Sequence, residues 1–425
     1  MSSKDKSTKV QSSKQNNSPK LRFREFRNCG PWKSIPGDLA FEQVVNKDHA
    51  SDLPVLAITQ EHGAIPRDQI DYHVSVAEKS IAGYKVVEVG DFIISLRSFQ
   101  GGIEYSSYRG ICSPAYNILR AKKMDFNPYF RHYFKSERFI GSLNKNLEGI
   151  RDGKMVSWQQ FSDLVLPMPS PKERNTITAC LSSVDVLIDA ETRKLNAIES
   201  HKKGLMQQLF PAEGKTVPRL RFSEFANARE WRSATLGEFF ETSSGGTPER
   251  SKAEYWGGNI PWISTSLVDF NRITQANEFI TEEGMKCSSA KLFPARTILI
   301  AMYGQGQTRG KVAILDFAST TNQACAAILP QKGIDPDFVF LYLSSRYEEL
   351  RALSNSGGQE NLSQSLIKGF TIAIPWDTDE QKKIKLCLSR LGEVSRQQGL
   401  RVESLLRHKS GLMQQLFPVI EEVQE

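Results

Sequence analysis

The chain has 425 residues, 39% of them hydrophobic and 24% charged, a length that leads to an expectation of two or three domains. Its formal net charge of +7 suits a partner made of phosphates without demanding one. The six cysteines (Cys29, Cys112, Cys180, Cys287, Cys325, Cys387) stand alone, which argues against structural zinc or a disulfide framework and fits a reducing cytoplasm, and no apolar run approaches a bilayer span.

Residues 1–18 carry Ser, Lys, Gln and Asn with almost no aliphatics, and read as a disordered basic tail without the apolar centre of a signal peptide. The phrase PKLRFREF from Pro19 follows and recurs as PRLRFSEF from Pro218, with Trp32 and Trp231 at the same interval. Aromatics in such a pattern belong to a core more readily than to base stacking. Further on, Val89 to Ser95 matches Ala295 to Ala301, a β-rich run in both, and the apolar Ile298 to Met302 reads as a buried strand.

Directly after each of these runs lies a loop rich in Gly, Gln and Arg: LRSFQGGIEYSSYRG from Leu96 and MYGQGQTRGK from Met302. Glycine permits close backbone approach, and Arg and Gln match guanine and adenine edges bidentately in the major groove. Two differing loops at one position look like readers of two different sequences; solvated turns are the plainer reading. A second pair of loops, Glu148 to Lys154 with Arg151 and Lys154, and Ser356 to Asn361 with Gln359 and Asn361, precedes short apolar stretches ending at Pro169 and Pro375. Hydroxyls at Thr247, Ser264, Thr265 and Ser266 could meet phosphates or bases, and Thr59 with Gln60 stands at the equivalent place in the first half.

The two halves close on nearly one phrase, HKKGLMQQLFP from His201 and HKSGLMQQLFP from His408, and that repeat resolves the chain into two tandem α+β units. Ahead of each phrase, aliphatics recur at steps of four and three. The first series is Ile177, Leu181, Val184, Ile188, Leu195, Ile198, Leu205 and Leu209, with polar breaks at Glu191 and Lys202. The second is Ile384, Leu388, Leu391, Val402, Leu405, Leu412 and Leu416, broken at Ser395, Gln398 and Lys409. This heptad seam predicts two helices of about 39 residues, roughly 58 Å long, closed by Pro211 and Pro418 and paired with each other, since their polar breaks fall at matching places. Two amphipathic helices packed each on its own domain is the other reading. The expected boundaries are a tail at 1–18, a first domain at 19–169, a helix at 170–211, a second domain at 212–375, a helix at 376–418 and a tail at 419–425.

Fragments that resemble catalytic signatures fail as such. Gly304 to Lys311 suggests a P-loop, but Gln305 and Val312 stand where glycine and a hydroxyl are needed. Asn127-Pro128-Tyr129-Phe130 resembles the tetrapeptide of adenine N6-methyltransferases, yet its counterpart Asp335-Pro336-Asp337-Phe338 suggests a helix start after an Asn or Asp cap. The scattered histidines form no triad, so no catalytic or metal-binding residue is assigned.

With the L-R-F-x-E-F openings, Gly245-Gly246-Thr247-Pro248, Tyr255-Trp256-Gly257-Gly258, Ile260-Pro261-Trp262, the Ser98-Phe99-Gln100-Gly101-Gly102 loop and the twin helix ends, the chain resembles the specificity subunits of type I restriction-modification enzymes. The resemblance implies two target-recognition domains in inverted orientation joined by an antiparallel pair of long coiled-coil helices. It implies a non-catalytic DNA-binding subunit of a bacterial or archaeal cytoplasm that docks two adenine methyltransferase and two motor-nuclease subunits. S-adenosylmethionine, ATP and Mg are then expected in those partners and no cofactor in this chain. The recognition loops carry over to Arg97, Ser98, Gln100 and Arg109, and to Tyr303, Gln305, Gln307, Arg309 and Lys311. Because the loops differ, an asymmetric gapped target is expected; half-sites with centres one duplex turn apart leave a gap of about six base pairs. A module of a methylation-only system and a protein-binding coiled-coil scaffold are the rival functions.

Overall fold

Two helices of 39 residues, Pro171–Leu209 and Thr378–Leu416, occupy the two periodic runs of this computed structural model, which describes residues 17–49, 52–69, 78–145, 156–304, 307–353 and 361–418. Each helix starts at a cap. Ser170 Oγ accepts the Glu173 amide at 3.3 Å ahead of Pro171, and Asp377 accepts the Asp379 amide at 2.8 Å. Each stops two residues short of Pro211 or Pro418, where no helix can continue. Every aliphatic of the seam is buried or half-buried, while Val186 and Val394 between seam positions are exposed. No helix among the described residues is long and apolar enough to cross a membrane.

The chain divides into two compact units, Met1–Thr192 with Leu400–Glu425, and Arg193–Gly399. The division falls inside both long helices, whose ends are counted with different units. The cause is burial at the helix ends. Ile177 and Leu181 share the first core with Met413, Leu416 and Phe417, whereas Leu209 shares the second with Ile384 and Leu388.

In the first unit, four strands lie in the order Phe41–Val44, Asn117–Ala121, Phe92–Ile94 and Glu104–Tyr105, all antiparallel. Phe41 meets Phe92, Phe130 and Phe161 edge-on at 5.0 to 5.6 Å, so the sheet packs on the helix Asn127–Tyr133 through aromatic rings. Lys33–Pro36 pairs antiparallel with Val165–Met168 and returns the chain to the start of the long helix. Here the N-terminal half of the first long helix meets the C-terminal half of the second, with Lys409 on Asp185 at 2.5 Å and Arg401 on Glu191 at 2.8 Å. Asn17, expected in the tail, is buried and accepts the Trp32 amide through its carbonyl, so ordered structure begins before residue 18.

In the second unit a five-stranded sheet runs Thr242–Ser244, Cys325–Ile328, Ile298–Ala301, Val312–Leu315 and Asn271–Ile273, with only the last pair parallel. Ile298–Ala301 is buried throughout, as its unbroken apolar run demands. Arg232–Thr235 with Thr371–Ile374 repeats the closing strand pair. On the helices, Ser395 Oγ donates to Glu199 at 3.4 Å, and Lys202 reaches toward Gly392. The lysines matched in sequence, Lys202 and Lys409, thus have different neighbours.

The helix starts at the two matched tetrapeptides also differ. Asp335 caps its helix by accepting the Asp337 amide at 2.9 Å. Asn127 does not cap; its amide nitrogen donates to the Gly90 carbonyl at 3.0 Å from a buried position. The expectation of a cap held only in the second unit, because in the first this side chain ties the helix to the strand run beginning at Val89.

Candidate nucleic-acid interface

In the first unit, the hairpin of Leu56–Thr59 and Gly63–Pro66 and the segment Ser95–Glu104 face one another across a cleft of about 740 Å³. The structure brings the sequence-predicted Thr59, Gln60 and Arg97 together on its walls, with Glu104 and Tyr116. Gln60 and Arg97 are exposed; Gln100 is exposed as well but stands outside the cleft lining. Thr59 is half-buried and holds the hairpin tip, its hydroxyl donating to Gly63 O at 3.0 Å and accepting the His62 amide at 3.0 Å.

The segment read as one loop from Leu96 contains a single helical turn, Ser98–Gly101, and the strand Glu104–Tyr105. Gly102 ends that turn at φ +80°, where an added Cβ would lie 2.0 Å from the Phe134 carbonyl oxygen, so only glycine fits. Ser98 is a correction: it is 1% exposed and its hydroxyl accepts the Ser95 amide at 2.8 Å, so it builds the turn and does not face the cleft. Arg109 stands outside the cleft lining, exposed and paired with half-buried Glu88 at 3.2 Å, a contact worth little in water.

Two residues that sequence reading passed over join these elements. Lys135, in the turn after the helix Asn127–Tyr133, donates to Gln60 O at 3.1 Å, Gly101 O at 3.0 Å and Glu104 Oε1 at 2.5 Å. Glu104 is 2% exposed, and burial pushes its carboxyl above the usual range against the pull of Lys135. No motif signals either residue, because the contacts span 31 to 75 positions of sequence.

In the second unit the predicted hydroxyls gather around the turn Thr321–Gln323. Thr247 Oγ1 donates to Gln323 Oε1 at 2.5 Å, Asn322 Nδ2 donates to Thr265 Oγ1 at 2.8 Å, and Ser264 and Ser266 share a hydrogen bond of 2.6 Å. Asn322 and Gln323 were missed, although Asn-Gln after a run of hydroxyls is a signal of the same kind as those followed elsewhere, since both amides suit adenine edges. Tyr303 and Gln307 are exposed and Arg309 is half-buried. Lys311 is a correction as an open DNA contact: Asp269 holds its ammonium at 2.6 Å, and its side chain is only 20% exposed. Tyr347 donates its hydroxyl to Gln307 O at 2.6 Å, while its ring meets Phe270 edge-on. Leu362 N donates to Met302 O at 2.9 Å, which brings half-buried Asn361 beside the same loop. Arg151, Lys154, Gln305 and Gln359 lie outside the described residues. Among the described residues no three His, Cys, Asp or Glu side chains converge as metal ligands.

Residues 228–401 match the type I restriction modification DNA specificity domain. The chain is 29% identical over 273 residues to the specificity subunit of the type I restriction enzyme EcoR124I/EcoR124II of Escherichia coli, covering 61% of this chain and 63% of that one, just under two thirds of the relative's length. It is 23% identical over 391 residues, 88% of either chain, to a protein of Methanocaldococcus jannaschii that bears the name of a type I restriction enzyme specificity subunit, MjaX. A solved structure described by the complex assembly and conformational transition of the type I R-M system shares the fold with a TM-score of 0.58 at 16% identity, over 91% of this chain and 97% of the other.

Proposed function

We propose, from this chain's membership of the family of type I restriction-modification specificity subunits, that it reads a bipartite, asymmetric duplex DNA target, one half-site with each unit. One observation carries this reading: the frame is duplicated while the loops on it are not. Both units have the closing strand pair, the buried tryptophan and a share of each long helix. Yet the first unit presents Gln60, Arg97 and Gln100, whereas the second presents Thr247, Gln323, Tyr303 and Gln307. Identical loops would call for a palindrome; different ones call for two different half-sites.

The two long helices form an antiparallel coiled coil in this reading. The pairs Asp185 with Lys409 and Glu191 with Arg401 support it, since numbers rise along one helix as they fall along the other. With half-sites one duplex turn apart, the gap is about six base pairs. Val186, Leu187, Val394 and Leu406 leave apolar surface on the helices, which suits the docking of methyltransferase subunits and, through them, motor-nuclease subunits. The chain itself is then a non-catalytic reader in the cytoplasm, and S-adenosylmethionine, ATP and Mg belong to those partners.

Long-read mapping of N6-methyladenine in cells expressing this chain with its methyltransferase partner tests the reading. The expected result is a single gapped, asymmetric motif with one methylated adenine in each half. An ungapped motif overturns the two-reader geometry. Absence of methylation beside an active partner favours the protein-binding scaffold, which a gel shift at two salt concentrations also separates, because phosphate contacts weaken steeply with salt.

A further inference from the structure

Lys135 has three N–H donors, and each reaches a different element at the first unit's cleft: the hairpin tip at Gln60 O and the strand residue Glu104, which both line it, and the helical turn at Gly101 O just beyond the lining. The two backbone acceptors lie at or beside exposed candidate readers, Gln60 itself and Gln100. We propose that Lys135, paired with Glu104, is a positioning residue for sequence discrimination in one half-site, holding the hairpin tip and the helical turn at a fixed separation without touching DNA itself. The proposal rests on the two-reader function argued above.

Three observations point to this role. Three protein acceptors match the three N–H donors of the ammonium, which leaves none to spare for a phosphate. The lock is built on a buried carboxylate: a base pressed against the wall meets a wall that cannot relax cheaply, since moving Lys135 leaves Glu104 buried with neither oxygen paired. Glu104 Oε2 already has no hydrogen-bond partner among the described residues. Finally, the lock is not part of the duplicated frame. Aligning Asn127-Pro128 with Asp335-Pro336 places Lys135 opposite Leu343, a fully buried aliphatic. The second unit ties its own loop differently, through Tyr347 on Gln307 and Asp269 on Lys311. A device present in one unit and replaced in the other varies with what is read and not with what is shared.

The test is made on the complex with the methyltransferase subunit, using a randomised duplex library for preference and a salt titration on the preferred duplex. Lys135→Met is expected to lose on the order of ten-fold or more of discrimination in one half-site, as if a base mismatch were tolerated there, and to leave the other half-site intact. The slope of log affinity against log salt is expected to stay unchanged. Glu104→Gln, which keeps the volume of the side chain, is expected to blur the same half-site, and it carries the test if Lys135→Met fails to assemble. Lys135→Arg keeps the charge but not the three-way geometry and is expected not to restore full discrimination. A salt slope reduced by about one, with all sequences weakened alike, makes Lys135 a phosphate contact and overturns the proposal. Unchanged preference in the assembled variants overturns it as well. A wild-type complex without sequence preference instead defeats the two-reader function, a result distinct from either.

Discussion

The guanidinium of Arg22 closes on Glu173 through two nitrogens, Nε to one carboxylate oxygen at 2.6 Å and a terminal nitrogen to the other at 2.8 Å. Its remaining terminal nitrogen reaches the carbonyls of Cys29 and Gly30. Arg221 repeats the arrangement on Glu380, at 2.7 and 2.8 Å, with the carbonyls of Ala228 and Arg229. In each unit the opening phrase is thereby clasped to the first turn of a long helix. Backbone bonds from Leu21 to Gln415 and from Leu220 to Gln208, both 2.9 Å, fasten the same phrase to the end of the other long helix.

Breaking the clasp leaves a buried carboxylate alone. Arg22→Ala is expected to destabilise the first unit by about 3 kcal/mol or more, and Arg22→Met with Glu173→Leu by clearly less, as equilibrium urea unfolding will show. Arg221→Ala is expected to be milder. There Trp231 Nε1 still donates to Glu380 at 3.1 Å, whereas Trp32 Nε1 has no partner among the described residues.

Arg309 sits half-buried in the loop that follows the buried strand of the second unit. Arg309→Ala is expected to relax one position of one half-site, with about 1–3 kcal/mol of discrimination lost there and the other half-site untouched. Equal weakening on every duplex in a binding assay would assign it to phosphate.

His132 is packed against the first long helix, its Nε2 3.1 Å from Ser182 Oγ and its Nδ1 3.6 Å from Asp185. Burial lowers its pKa to about 4; Lys409 and Arg131 push the same way and Asp185 opposes them. An unfolded imidazole titrates near 6.5, so between those values the unfolded chain binds the extra proton. The stability contributed by the neutral ring is complete above about pH 6.5 and is lost as the pH falls toward 4, by at most roughly 3 kcal/mol. Unfolding free energies measured at pH 7 and pH 5 should differ in this sense, and His132→Gln should remove most of the difference.

Cys112 and Cys325 are buried, and burial pushes each thiol up to about 12, whereas Cys29 and Cys287 are exposed. Brief alkylation of the native protein, read by mass spectrometry, should label Cys29 and Cys287 and reach Cys112 and Cys325 only after denaturation.

Features written as local pattern were legible in the chain. The long helices announce themselves by the period of their aliphatics and stop where proline forces them to, and Ile298–Ala301 is a buried strand because four apolar residues in a row have no wet face to offer. The opening phrase was legible as a repeat, but its work was not, because the acid that Arg22 holds lies 151 positions away. The cleft was legible only by composition. Arg97 and Gln60 both line it, a juxtaposition that no sequence pattern announced, and Ser98, equally suitable by type, turns inward because a one-turn helix needs its hydroxyl. Lys311 was indistinguishable from a free cation until Asp269, across 42 positions, stood beside it. Lys135 and Glu104 belong to no motif at all. The division of each long helix between two units escaped for another reason: a heptad period records which face is apolar, not which core receives each end.

The clasp of Arg22 and Arg221 shares no residue with the walls that hold Gln60, Arg97, Thr247 or Gln323. On the proposed function, substitutions at those candidate positions leave both clasps intact, so one half of the recognition can be retuned while the other half stays as it was. Selection acting on such a chain would then change its target in separate steps, each starting from a protein whose clasps are unchanged.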